Sequence, residues 1–457
     1  MPTSALRSTR LARRPMQAVL AALAVLAACL CQATALAQIP PPFVHPGVLV
    51  DLPHLKYIRT QIEIGTEPFA SAFAAAQKSR WGALSYAVQG PPANGMIVCD
   101  EDPKADLGCT QEDSDASAAY TQALLWTLTD DIRYAQKAIQ IMNHYARTLR
   151  AHGGENAPLQ AAWAAEKWPA AAEIIRYSDA GWDDQDFAAF TSMLRRQYLP
   201  LITGDHGAGK NGDWTLSMID GALGIAVVTD DHDLFDATLA RWNRWVPAYF
   251  YNFALDGTQP VMLPEGPADW NGQTHFGAQT SGVTQETCRD LQHAQLGLAA
   301  TFNAAETAYM QGVDLYTPMT LRLTTSLEYM SRLLAGVRQT SLKPVPSQSK
   351  VAKTAEPNPQ SAIPAGFPGL CDTRFYRPVL QATMERAYNA YGIRQHVALP
   401  DTRQHLQNDV RPYALPNDND RHNVIWETLT HGTLSPAENS GIVPPADALT
   451  ATPPHLP

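Results

Sequence analysis

A chain of 457 residues with ten Trp and sixteen Tyr has ample material for a large core, as one big domain or as two or three average ones. Its formal net charge of −10 excludes nucleic-acid binding through a broad basic face. An anionic ligand would be repelled by the overall field, so the few cations of any cleft carry unusual weight.

The N-terminus reads as an export signal. Arg7, Arg10, Arg13 and Arg14 precede an apolar run from Val19 to Leu30, and Ala35-Leu36-Ala37 forms a small-x-small cleavage site before Gln38. The run is too short for a membrane span. A signal peptide over residues 1–37 and a periplasmic or secreted protein are therefore expected. Cleavage there removes four arginines and no acid, taking the net charge from −10 to −14. Leu26-Ala27-Ala28-Cys29 also resembles a lipoprotein lipobox, which would leave a lipid anchor at Cys29; simple cleavage is the preferred reading. Beyond the leader stand Cys99, Cys109, Cys288 and Cys371, an even number in an exported chain, which permits disulfides. Cys99 with Cys109 would close a short loop and Cys288 with Cys371 would tie two distant segments, but the residues leave the pairing open. No C-x-x-C spacing suggests a metal, and none is expected.

From Leu52 onward, apolar residues recur at helical spacing over 52–64, 67–79, 113–128, 131–150, 158–177, 183–199, 213–228, 231–247, 283–311 and 316–334. Strand signals are nearly absent. Short turns such as Thr129-Asp130-Asp131 and Thr229-Asp230-Asp231-His232 join consecutive helices, so the pattern predicts an all-α array of serial antiparallel helix pairs or a closed (α/α) toroid. Residues 336–366 are Pro-rich and read as a long loop inside a domain spanning 38–435; helix returns over Phe375–Tyr391, and 436–457 read as a frayed, disordered tail.

The most informative stretch is Gly282–Leu298. As one helix it would place Glu286, Arg289, Asp290 and His293 at i, i+3, i+4 and i+7 on a single charged face, with Leu291 and Leu298 anchoring the other. We read this as the wall of a cleft. Asn211 stands at a helix start, where Asn is also a favoured cap. Trp270-Asn271-Gly272-Gln273-Thr274-His275 reads as a loop over the cleft, with Gln273 and His275 as subsite contacts and Trp270 as a surface for stacking on a sugar.

Five stretches taken together, Asp115–Trp126, Asn211–Trp214, Gln285–His293, Ala305–Tyr316 and the late W-E-T-L-T-H from Trp426, resemble the alginate lyase superfamily of secreted polysaccharide lyases. The resemblance implies an α/α toroid, an anionic polysaccharide substrate, no cofactor, and β-elimination at a uronic acid. Such chemistry neutralises the C5 carboxylate, removes the C5 proton and protonates the departing O4. The resemblance further implies that Asn211 bonds the carboxylate, that Trp214 packs beneath the site, and that Arg289 orients substrate or a catalytic group. His293 would neutralise the acid or take the proton, and Glu286 and Asp290 would hold Arg289.

Two positions depart from the family pattern. Leu296 stands seven residues after Arg289, where related lyases often carry a catalytic Tyr, and Ala390 stands where a His is expected. Tyr249, Tyr251 or His293 would then transfer the proton. Two alternatives use the same residues differently: a uronide hydrolase recruiting two of Asp213, Glu265, Asp269 and Glu286, or a non-catalytic polysaccharide-binding protein.

Overall fold

The computed structural model describes residue 1 and residues 40–102, 104–204, 206–207, 209–335, 366–372, 380–381, 383–413 and 422–433. Nearly all of the leader, the Pro-rich 336–366 segment, the tail and the start of the expected 375–391 helix lie outside them. Helix starts follow local capping chemistry. Asp51 accepts from His54 N ahead of α1 (Leu52–Glu63), and α2 is Phe69–Lys78. After α3 (Cys109–Thr129), Asp130 sits at φ 56° and Asp131 caps α4 (Ile132–Thr148), which gives a tight antiparallel hairpin. The same device recurs later: Asp230 has φ 53° and Asp231 caps α9 (His232–Tyr249) after α8 (Gly212–Val228).

The expected helix over 158–177 is two helices, α5 (Ala157–Ala165) and α6 (Trp168–Arg176). Pro169 explains the break, because its ring would clash with the carbonyl four residues back and it has no N–H to donate. The 183–199 helix is α7 (Asp184–Met193) running into a π-helical segment, Leu194–Tyr198, just before Pro200. The long 283–311 helix is shorter: α10 is Leu291–Met310, with Asp290 as its N-cap. Then come α11 (Thr320–Leu334), α12 (Glu385–Tyr388), α13 (Pro400–His405) and α14 (Glu427–His431). Of the 375–391 helix, α12 and the π-helical Asn389–Arg394 remain among the described residues. One two-stranded parallel sheet, Met96–Val98 with Ala151–Gly153, accompanies them.

The inner helices run side by side in parallel, as their register shows. Along α3 and α5–α6 the pairs are Glu112 with Gln160, Asp113 with Lys167 and Trp126 with Ser178. Ala165 lies against Gly221 and Pro169 against Gly224 between α5–α6 and α8. Gly212 meets Gln285 and Asp220 meets Asn303 between α8 and the α10 segment. Gln295 with Gln381, Asn303 with Arg386, and Glu306 with Arg394 continue into the α12 region. The ring closes where α14 packs on α1 and α2 and the Trp426 indole donates to Thr121 at 2.8 Å. The result is the expected all-α toroid, with α4, α9 and α11 outside. All inner N-termini share one end, and the residues singled out by sequence cluster there. Among the described residues no helix is long and apolar enough to cross a membrane.

Candidate active site

Glu286, Arg289 and Asp290 precede α10 and do not lie on it. The chain from Gly282 is first held extended, with Tyr251 N donating to Val283 O and Gln285 N to Tyr249 O, and then turns, with Arg289 N and Asp290 N both donating to Glu286 O. A helix cannot begin until Asp290, whose Oδ1 accepts from His293 N at 2.8 Å. This cap also fixes the imidazole, because His293 Nδ1 lies 2.8 Å from both Asp290 oxygens. The contact between Asp290 and His293 thus arises from cap and third helical residue.

The turn is clamped to the start of α8. Gln285 Oε1 accepts from Gly212 N at 2.7 Å, and Glu286 Oε2 accepts from Asp213 N at 3.1 Å. Gly212 is required here, since a Cβ would stand 2.3 Å from the Tyr249 ring and 2.8 Å from Gln285 Oε1. Tyr249 also presses on Gly297, where a Cβ would lie 2.3 Å from its hydroxyl. Asn211, immediately before this clamp, is half-buried and makes no side-chain cap. Its Oδ1 instead accepts from Asn271 Nδ2 at 3.3 Å, while Asn271 also donates to Gln285 O. With the oxygen so held, the Asn211 amide nitrogen is left to donate. Asn211, Arg289 and His293 are therefore brought to one neighbourhood through Gln285, Glu286 and Asn271.

The electrostatics separate buried carboxylates from half-exposed cations. Arg289 Nη1 bonds Glu286 Oε1 at 2.5 Å and lies 3.8 Å from Asp213, with 29% of its side chain exposed. Burial works against its charge, but Glu286, Asp213 and Asp290 outweigh that and hold it firmly protonated. Asp213 is fully buried, and desolvation followed by the charge of Glu286 pushes its carboxyl well up. Burial opposes ionisation of Asp290, yet His293 and Arg289 hold it down to about 2. For His293 burial lowers the pKa, Asp290 raises it more, and the outcome is a raised value with 23% of the side chain exposed. Its Nδ1 is committed to Asp290, so Nε2 is the nitrogen that can meet a ligand.

Other sequence-predicted residues are placed differently. Trp270 is only 3% exposed, and packs edge-on against Phe276. Gln273 is buried, accepting from Cys371 N and donating to the carbonyls of His275 and Gly369. It therefore pins the segment tied down by the Cys288–Cys371 disulfide; Cys99–Cys109 is also formed. Tyr251 is buried with its hydroxyl on Gly257 O. The Tyr249 hydroxyl donates to Glu286 Oε2 at 3.0 Å, and burial together with that carboxylate pushes it well up. None of these four offers a face to a ligand, which corrects the sugar contacts expected of Trp270 and Gln273 and the substrate contact and proton transfer expected of Tyr249 and Tyr251. Trp214 is buried under Lys210, whose ammonium lies 4.9 Å from the ring. His275 is exposed and paired with Asp372 at 3.1 Å. Asn271, which orients Asn211, was not singled out by sequence; its φ of 55° in an Asn-Gly pair marks a turn but gives no sign of its partners.

A cavity of about 670 Å³ lined by Tyr86, Lys137, His144 and Arg147 involves none of these residues. Among the described residues no group of three or more His, Cys, Asp or Glu could hold a metal ion.

A family model described as "Alginate lyase" matches residues 74–339, more than half of the chain. Among solved structures, alginate lyase A1-III from Sphingomonas species A1 is 17% identical, with 64% of this chain and 78% of that chain covered at a TM-score of 0.46. An alginate lyase from Bacteroides ovatus is 13% identical, with 65% and 86% covered at a TM-score of 0.42. No curated protein matches.

Proposed function

For a chain that belongs to the alginate lyase family of polysaccharide lyases, we propose β-elimination at a uronic-acid residue of an anionic polysaccharide, alginate or glucuronan or a similar polyuronate, with His293 taking the C5 proton. The observation that carries this reading is the Asp290–His293 pair beside Arg289, clamped to Asn211. The Asn211 amide and the Arg289 guanidinium bond the C5 carboxylate and make the adjacent C–H more acidic. His293 Nε2 removes that proton, the C4–C5 double bond forms, and the C4–O4 bond breaks. The imidazolium so formed can return the proton to O4. Asp290 fixes the tautomer and stabilises the charged ring.

A phenol as base is disfavoured. Leu296 is buried where related lyases often carry Tyr, and Tyr249 and Tyr251 are turned inward. Hydrolysis lacks support because Asp213 and Glu286 are fully buried and Glu265 pairs with Arg244 at 2.6 Å. We also propose an exported, periplasmic or secreted protein, which the two disulfides suit. The test is to incubate the mature protein with a panel of polyuronates and follow the ultraviolet absorbance of the new conjugated double bond. No rise on any of them would refute the reading.

A further inference from the structure

Asp213 stands in the first turn of α8, two residues after Asn211, with its side chain fully buried. Among the described residues neither of its carboxyl oxygens has a hydrogen-bond partner. Arg289 Nη1 is 3.8 Å from Oδ1, too far for a hydrogen bond, and makes its short bond to Glu286. A helix start often satisfies a carboxylate through its free N–H groups, but here Gly212 N is spent on Gln285 and Asp213 N on Glu286. A carboxylate ion held out of water with neither oxygen bonded is costly, and such a group neutralises instead.

Glu286 shows where the proton goes. Its side chain lies within hydrogen-bonding reach of the Asp213 carboxyl, so two buried carboxyl groups face each other across the clamp and cannot both ionise. Glu286 is the ionised member, because the Arg289 guanidinium bonds its Oε1 at 2.5 Å and the Tyr249 hydroxyl donates to its Oε2 at 3.0 Å. The groups that face Asp213 are Glu286 and Arg289 from the turn, His293 from α10 and Tyr249 from α9. Burial and Glu286 push its carboxyl up and outweigh the two cations.

The consequence is electrostatic. An ionised Asp213 would add a third carboxylate charge to those of Glu286 and Asp290, against the two cations Arg289 and His293. It would also repel an incoming uronate and, by raising His293 further, keep the base protonated.

We propose that Asp213 is a positioning residue of the elimination: kept as a neutral acid, it donates its proton to Glu286 in a hydrogen bond and so holds that carboxylate on Arg289 without adding negative charge beneath the uronate. The inference rests on the polyuronate reading above.

The test compares the unaltered protein with Asp213→Asn, which keeps the shape and cannot ionise. In infrared difference spectra at neutral pH, the unaltered protein is expected to show the carbonyl stretch of a protonated carboxyl that the variant lacks; absence of that band overturns the proposal. The second readout is the acid-side inflection of kcat/KM, whatever the height of the profile. A neutral Asp213 has no charge to lose, so the inflection should stay within about 0.3 pH unit in the variant. A larger move to lower pH means that a charge was removed from beside His293, and overturns the proposal. Should Asp213→Asn lose its helical circular dichroism, Asp213→Ser, which keeps a hydroxyl donor, is read in its place with the same two outcomes expected. Failure of the lyase reading is separable: it appears as absence of turnover by the unaltered protein, in which case the positioning role falls with it, while the infrared band still reads the proton on Asp213.

Discussion

Helix α10 carries two clusters built from the same residue types, one at each end. At its start, Asp290, His293, Arg289 and Glu286 leave the imidazole and guanidinium partly open to solvent. Near its end, Glu306 forms a two-pronged pair with Arg394 and touches Tyr316 and His431, all nearly or fully buried. The same imidazole is driven in opposite directions. At the open end Asp290 overcomes burial and raises His293. At the closed end burial dominates, and His431 falls to about 3 despite Glu306. A histidine beside a carboxylate is therefore not by itself a titrating group. One part-exposed edge decides whether it can exchange protons or only fill a polar hole.

The sharpest way to break this contrast is to delete the open imidazole. His293→Ala should lower kcat by about 10³-fold or more, the scale of a lost general base, with little change in thermal unfolding. Glu306→Ala should do the reverse: stability falls by about 3–5 kcal/mol as Arg394 is left buried and uncompensated, while the folded fraction turns over within about twofold of normal, as chemical denaturation and kinetics would show. Next is Asn211→Ala, expected to cost about 10²-fold in kcat, as for a lost donor to developing charge.

The smallest effects concern pH. A base with a raised pKa is protonated and inactive in acid, so kcat/KM should climb as pH passes above the ordinary imidazole value of 6.5. Asp290→Asn should move that inflection to lower pH while leaving helix capping nearly unchanged, since the Asn side-chain oxygen accepts the same bond from His293 N. The stability linkage has two signs. The His293 contribution is complete below 6.5 and fades as pH rises through its raised value. That of Asp290 is complete above 3.8 and fades as pH falls toward about 2. Urea titrations across pH would register both.

Most of the ring was legible because its turns announce themselves. Asp-Asp pairs after α3 and α8 give one residue at positive φ and one cap, and both hairpins follow. The site was legible in membership more than in geometry. Glu286, Arg289, Asp290 and His293 were read as a helical stripe, and the spacing gave the right neighbours for a different reason: a turn and a cap also bring residues three apart together. What hid the true start was the pairing of Phe250 with Thr284, a long-range contact that no local periodicity reports. The inward turn of Trp270, Gln273 and Tyr251 was hidden likewise, because a single sequence states which side chains are large or polar but not which way a loop rotates them.

The parallel inner helices have one more consequence. Aligned peptide dipoles place partial positive charge at their shared starting end, against a molecule whose formal charge is −10. The mouth of the ring becomes a local attractor on a repulsive body, so a polyanion gains only after it has come close. Added electrolyte then acts in two ways, first shielding the distant repulsion and later weakening capture at the mouth. Association should be fastest at an intermediate ionic strength.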